Sequence, residues 1–283
     1  MRIARVLFSS IAGIVLLTAS VDAQDREQRY FITYDHYMEE PKTLEISTWP
    51  VIGRSEDLNP FVATWTEFEY GITKRWTSEF YFDWQHTKHE GNLFTGVRFE
   101  TRYRPFRETR KINPVLYLEY EHLNGADKTL KEIVGFDSKE DLAVPNSVAR
   151  HEQEREIEPK LILSSDFGEW NLAENFISSK DVNGGPWEFG YAVGLSRSLT
   201  ASKHFAAGVE VYGGLGTWHQ FTFRNTSQYI APVLMWTLRS ETTLHFSPGW
   251  GVTDQSVGTL IRFAVSQEID DFPHHLTKIF HRH

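Results

Sequence analysis

From Glu79 to Gln85 the chain alternates residue by residue, with Phe80, Phe82 and Trp84 set against Glu79, Tyr81, Asp83 and Gln85. A period of two places these two sets on opposite faces of a β-strand. The pattern recurs along most of the sequence. Val62, Thr64, Thr66, Phe68, Tyr70 and Ile72 alternate with Ala63, Trp65, Glu67 and Glu69. Leu93, Thr95, Val97, Phe99 and Tyr103 oppose Arg98, Glu100, Arg102 and Arg104, and Leu116, Leu118 and Tyr120 oppose Tyr117, Glu119 and Glu121. Later, Leu161 and Leu163 face away from Glu156, Glu158 and Lys160, and Ile261, Phe263 and Val265 face away from Arg262. A closed sheet with lipid outside and water inside needs such segregation, because a lipid-facing Arg at mid-bilayer costs about 2–4 kcal/mol.

The two ends carry separate signals. Arg2 and Arg5 precede an apolar run from Val6 to Leu17, and Val21 and Ala23 are small enough to precede a cleavage point. Residues 1–23 therefore read as a secretory signal peptide, followed by an N-terminal periplasmic segment over 24–42. No later stretch approaches the roughly 20 apolar residues of a membrane-spanning helix. The chain has no cysteine, which removes disulfides, thiolate metal sites and cysteine nucleophiles. A net charge of -9 argues against a nucleic-acid partner, which requires a basic face. The mean hydropathy of -0.40 suits either a soluble protein or a barrel whose inner half faces water.

Twelve strands are expected, over 43–52, 61–72, 76–87, 93–104, 114–123, 155–165, 169–178, 187–198, 204–214, 228–238, 241–250 and 257–267. Each is close to the 9–11 residues, roughly, that a tilted strand needs to cross a bilayer. Short links at 73–75, 166–168, 200–203 and 239–240 alternate with longer ones at 54–60, 124–154, 180–186 and 217–227. This is the asymmetry of periplasmic turns and extracellular loops. The charged segment 124–154 has two readings, an inward plug or a solvent loop. Glu174 breaks the pattern by sharing a parity with Trp170, Leu172 and Phe176, for which a bulge or a rim position would account. Trp65, Trp76, Trp84, Trp170, Trp187 and Trp236 are candidates for an aromatic girdle. The expected fold is thus an all-β, transmembrane antiparallel up-and-down barrel of about twelve strands over 43–268, followed by a polar, His-rich tail over 269–283.

The candidate site is a lumen charge ladder. Arg98, Arg102 and Arg104 form an inward stripe, with Glu79 and Asp83 on the strand before and Glu119 and Glu121 on the strand after; Glu67, Glu69, Glu100 and Arg262 extend it. Such a ladder either sets ion selectivity or braces the wall by pairing. Glu188 and Glu210 continue the lining. His86, His89, His274, His275, His281 and His283 match no defined metal spacing, and Asp181 to Gly185 reads as a Gly-rich turn, so no metal and no cofactor is expected. A barrel lipase would need a serine and histidine near the lipid-facing rim. His245 and Ser247 share a parity, and His219, Asn225 and Ser227 share a loop, but no nucleophile motif backs them and no catalytic residue is assigned.

The run Glu67-Phe68-Glu69-Tyr70-Gly71-Ile72-Thr73-Lys74-Arg75-Trp76, followed by the alternation from Glu79 to Trp84, resembles the strand-turn-strand unit of an uncharacterised bacterial outer-membrane β-barrel family of transporter-like barrels. The resemblance implies residence in the bacterial outer membrane, contact with outer-membrane lipid, insertion by barrel assembly machinery, and passage of small solutes. The tail departs from it, since many such barrels end on an aromatic residue and this chain ends on histidines. The expected function is a channel or diffusion-facilitating transporter; a lipid-modifying barrel enzyme and a secreted soluble β-protein are the competing readings.

Overall fold

A computed structural model describes residues 28–107, 109–202, 204–238 and 242–280; the expected signal peptide lies outside them. The strands are β1 (Leu44–Arg54), β2 (Phe61–Thr73), β3 (Trp76–Thr87), β4 (Gly91–Tyr103), β5 (Asn113–Asn124), β6 (Gln153–Phe167) and β7 (Trp170–Asp181). They continue as β8 (Glu188–Ser198), β9 (Phe205–Thr217), β10 (Gln220–Phe221), β11 (Gln228–Thr237), β12 (Thr242–Gly251) and β13 (Thr259–Ile269). β10 is a two-residue ribbon folded back on β9. The other twelve form the wall, each antiparallel to its neighbours, with β9 paired to β8 and β11 and the ring closed by β1 against β13. Closure leaves no sheet edge unpaired.

Both ends of the wall's chain, at β1 and β13, lie on one side, called here the near end. The connections β2–β3, β6–β7, β8–β9 and β11–β12 are on that side, and the far end carries the long segment 125–152. Two links depart from the expected alternation: 104–112 is a long near-end link and 88–90 a short far-end turn.

Outward positions are apolar. Phe80, Phe82, Phe99, Leu116, Leu118, Tyr120, Leu161, Phe176, Leu234, Phe246 and Phe263 all present large side chains away from the wall. Trp76, Trp170 and Trp236 lie at near-end strand termini and Trp84, Trp187 and Trp250 toward the far end, so the belt is bounded by two rows of indoles. Trp65 is not among them, because it points inward and stacks on Trp49 at 5.7 Å. Two face assignments are overturned. A bulge opposite Asp83 and Trp84, next to Gly96, shifts the register of β4, so that Thr95 turns into the lumen, Leu93 lies opposite the inward Gln85, and Phe94 takes the outer face.

The lumen is filled. The segment 24–42 was expected in the periplasm, yet its described part, from Gln28, runs through the barrel as a strap. Tyr30, Phe31, Ile32 and Tyr34 are buried there, where water would not cover their apolar surface. Gly194 on β8 makes the room, since a Cβ there would stand 2.5 Å from the Tyr30 ring. From the far end, the segment 125–152 folds inward and buries Lys131 and Ile133; Gly190 lets the Ile133 carbonyl approach, 2.4 Å from where a Cβ would stand. Of the two readings of this segment, the inward plug is the one observed. The expected polar tail carries a helix, Phe272–Phe280, which holds His274 and His275.

Candidate functional site: a glutamate row inside the barrel

Strand register creates a feature that no single strand shows. Glu268 lies opposite Glu45, Glu45 opposite Glu69, Glu69 opposite Glu79, Glu79 opposite Glu100, Glu100 opposite Glu119, and Glu119 opposite Glu158. Seven inward glutamates thus form one row across seven strands. Like charges directly opposite one another destabilise a sheet. The row therefore requires cations around it.

The wall supplies three. On the far-end side of the row, Arg98 Nε stands 2.8 Å from Asp83, and its Nη1 is 3.5 Å from Glu121 and 3.8 Å from Glu119. On the near-end side, Arg102 binds Glu69 and Glu79 through Nη2 and reaches Glu100 at 3.2 Å through Nε. Lys160, from β6, is 2.9 Å from Glu158. The fourth cation comes from outside the wall. Lys131, on the inward-folded segment, places Nζ 2.8 Å from Glu119, 3.4 Å from Glu100 and 3.1 Å from Glu132, which is on the same segment. Glu132 in turn reaches Lys160 at 2.6 Å and Arg98 at 3.1 Å. Burial alone would push the Glu132 carboxyl up, but Lys131, Lys160 and Arg98 hold it down at about 2.

Three tyrosines complete the environment. Tyr34 of the strap donates to Glu100 at 3.1 Å, the Tyr81 hydroxyl bridges Glu79 and Glu100, and the Tyr117 hydroxyl bonds Glu119. Their rings lie 4.6–5.8 Å from Lys131 Nζ, within cation–π range. Beside the cluster a cavity of about 310 Å³ is lined by Glu121, Asp127, Glu132, Glu154 and Glu158 together with Arg98. Oxygens of Glu119, Glu121, Glu132 and Glu158 gather within 4.8 Å of one another; Arg98, Lys131 and Lys160 already stand among them.

Of the sequence-derived ladder, Glu67, Glu69, Glu79, Asp83, Arg98, Glu100, Arg102, Glu119 and Glu121 all face the lumen on β2 to β5. Two members stand elsewhere. Arg104 is at the near-end rim, where it donates to the Lys74 carbonyl at 3.1 Å. Arg262 lies on β13, two strands away from β2, bonded to the Tyr212 hydroxyl and, at 3.0 Å, to the carbonyl of Leu130 on the inward segment. Sequence reasoning missed Lys131, Glu132, Glu158 and Lys160 as members of one cluster. The parity of Glu158 and Lys160 was visible, whereas their contact with Lys131 depends on how the long segment folds. His245 and Ser247 are buried inside the barrel, with His245 Nε2 2.6 Å from the Gln28 carbonyl, so this pair does not stand at a lipid-facing rim.

No protein-family profile matches the chain, and no curated protein matches it in sequence. Solved structures do resemble it. An outer-membrane channel of Pseudomonas putida F1 superposes with a TM-score of 0.58 at 8% identity, over 83% of this chain and 98% of that one. The KdgM porin superposes with a TM-score of 0.50 at 9% identity, over 79% and 98% of the two chains. At these identities the likeness is one of fold, and the fold of this chain is that of an outer-membrane β-barrel.

Proposed function

We propose that the protein is a channel of the bacterial outer membrane that passes small solutes and is closed by its own strap and far-end segment. The observation that carries this is the two-sided wall: an apolar belt bounded by indoles on the outside and a closed, charged lumen on the inside. A wall of this kind is stable only with lipid against its outer face. Outer-membrane lipid covers the belt, the near end faces the periplasm, and insertion proceeds through barrel assembly machinery.

Planar bilayers test the reading. The mature chain should give brief, infrequent openings, and a chain lacking residues 28–38 should give sustained, discrete conductance steps. A barrel that inserts and shifts on a gel after boiling, yet stays silent in both forms, overturns the channel. Substituting Arg98→Ala or Arg102→Ala should shift ion preference toward cations, because each removes a positive charge from a lumen rich in carboxylates. An unchanged reversal potential would make these arginines braces of the wall.

A further inference from the structure

Glu100 and Glu119 take part of their positive charge from a side chain that is not part of the wall. Lys131 is buried, and its ammonium occupies a defined seat. Glu119 Oε2 at 2.8 Å, Glu100 Oε2 at 3.4 Å and the Tyr117 hydroxyl at 3.2 Å offer oxygen atoms, while the faces of Tyr34, Tyr81 and Tyr117 surround the cation. An ammonium has three N–H donors and no acceptor, and this seat presents it with oxygens and ring faces. The segment that carries Lys131 is joined to the wall by side-chain ion pairs, Glu132 with Arg98 and Lys160 and Asp127 with Arg98, and by backbone contacts such as the Gly135 amide to the Phe189 carbonyl at 3.0 Å, the Lys139 amide to the Gln255 carbonyl at 2.7 Å and the Arg262 contact with Leu130. None of the strand pairings of the ring has to break for it to withdraw.

We propose that the seat formed by Glu100, Glu119, Tyr81 and Tyr117 recognises the primary ammonium group of a solute in transit, and that Lys131 is its tethered occupant while the channel is closed. The inference rests on the channel reading and names its solute class. When Lys131 leaves, Glu100 and Glu119 stay buried on the wall. Glu119 Oε1, fully enclosed, accepts no hydrogen bond even with Lys131 present, and its ion-pair partner Arg98 stands 3.8 Å away. Glu132 leaves on the same segment, and Lys160 remains engaged by Glu158 at 2.9 Å. Glu100 keeps Arg102 at 3.2 Å, whereas Glu119 loses its closest cation and is left with Arg98 at 3.8 Å; so weakly paired a carboxylate attracts a replacement cation. The cavity, whose lining carries Glu121, Glu154, Glu156 and Glu158 against Arg98 on the wall, supplies the approach, since a cleft with an excess of one charge sign raises the local concentration of its counter-ions. The ring faces hold a cation of either kind, and the Glu100, Glu119 and Tyr117 oxygens favour one that bears N–H donors on an alkyl stem, the chemistry of Lys131 itself.

Chemical rescue tests the seat without requiring conductance. Lys131→Ala in the full chain removes the tethered ammonium together with its stem. The detergent-folded barrel is melted in propylammonium chloride, tetramethylammonium chloride and sodium chloride at equal ionic strength. Propylammonium should raise the melting temperature of the variant saturably above its value in sodium chloride, and tetramethylammonium, which has no N–H, should not. The wild type, whose seat is filled, should respond alike to all three. An equal response of the variant to the three salts overturns the proposal. Rescue in a barrel that is silent in bilayers would keep the seat and remove the channel; conductance without rescue would do the reverse. Should Lys131→Ala fail to assemble, Glu119→Gln in the otherwise unaltered chain serves instead. Its open events should lose the preference for propylammonium over tetramethylammonium, and an unchanged permeability ratio overturns the proposal.

Discussion

The two sides of the lumen are held together by different physics. Across β9, β11 to β13 and β1 the strap packs against rings: Phe31 meets Trp49 edge to face at 5.2 Å, Trp49 stacks on Trp65 of β2, and Tyr212 stacks on Tyr229 at 5.3 Å. Across β3 to β6 the same strap meets carboxylates and cations, through Tyr34 and Glu100. The ring-lined side is closed mainly by shape, with Glu210 of β9 accepting the Phe31, Ile32 and Thr33 amides of the strap. The charged side is closed by charge balance, which no one strand can achieve. It needs the register of several strands to align the glutamates and an outside lysine to complete the balance. One lumen therefore combines a wall that tolerates small losses with a wall that does not.

The largest expected effect falls on the charged side. Arg102→Met keeps the stem and removes the guanidinium shared by Glu69, Glu79 and Glu100. Leaving buried charges without their partner costs about 3–5 kcal/mol, to be measured by urea unfolding of the barrel in lipid vesicles. Acidification should recover part of that loss, because protonation neutralises the orphaned carboxylates. A loss of less than about 1 kcal/mol would mean that water, not burial, surrounds this pair. In that case the contrast between the two sides disappears.

How much of this was legible in the sequence follows from the same contrast. The strand positions and most of the inner and outer faces are carried by period-two alternation, a local signal strong enough to place Glu79, Asp83, Arg98, Arg102, Glu119 and Glu121 on the inside. Leu93 and Thr95 were assigned to the wrong face because a bulge next to Gly96 is a two-strand event without a one-strand signature. Arg262 was grouped with the ladder because parity fixes a face but not an azimuth around the barrel. The glutamate row itself is a statement about register, which depends on turns and closure. The strap and Lys131 lie further from reach: neither alternates, and their burial depends on space left by the finished wall.

On the apolar side a smaller and simpler response is expected. Val233→Ala, at a fully buried position of β11, removes two methyl groups and leaves a small cavity, for about 2 kcal/mol. That loss should be the same at neutral and at acid pH, since Val233 belongs to the apolar cluster with Tyr229, Ala231 and Leu260. A pH-dependent loss in the same vesicle assay would show that the two sides are electrostatically coupled through the strap.

The smallest effect concerns a carboxylate on the other surface of the wall. Glu174 was expected to be excused by a bulge or a rim position, but β7 pairs with both neighbours in unshifted register there. It projects outward four positions in from Trp170, opposite Leu163 and Val193, with Leu172 and Phe176 beside it on its own strand. Lumen glutamates have arginine and lysine within reach, whereas this one faces the apolar belt. The penalty for an acidic residue there is smaller than the 2–4 kcal/mol, roughly, of a basic one at the midplane, and it falls toward the interface. Glu174→Leu should therefore stabilise the barrel by about 1 kcal/mol in vesicles. In detergent micelles, where water reaches the near-end rim more readily, the gain should shrink. The opposite change in the lumen, Glu119→Leu, should destabilise by stripping Lys131 of its closest carboxylate. If Glu174→Leu were instead destabilising in lipid, the carboxylate would have a partner on the outer face, and a polar contact in the membrane would replace the apolar belt at that point.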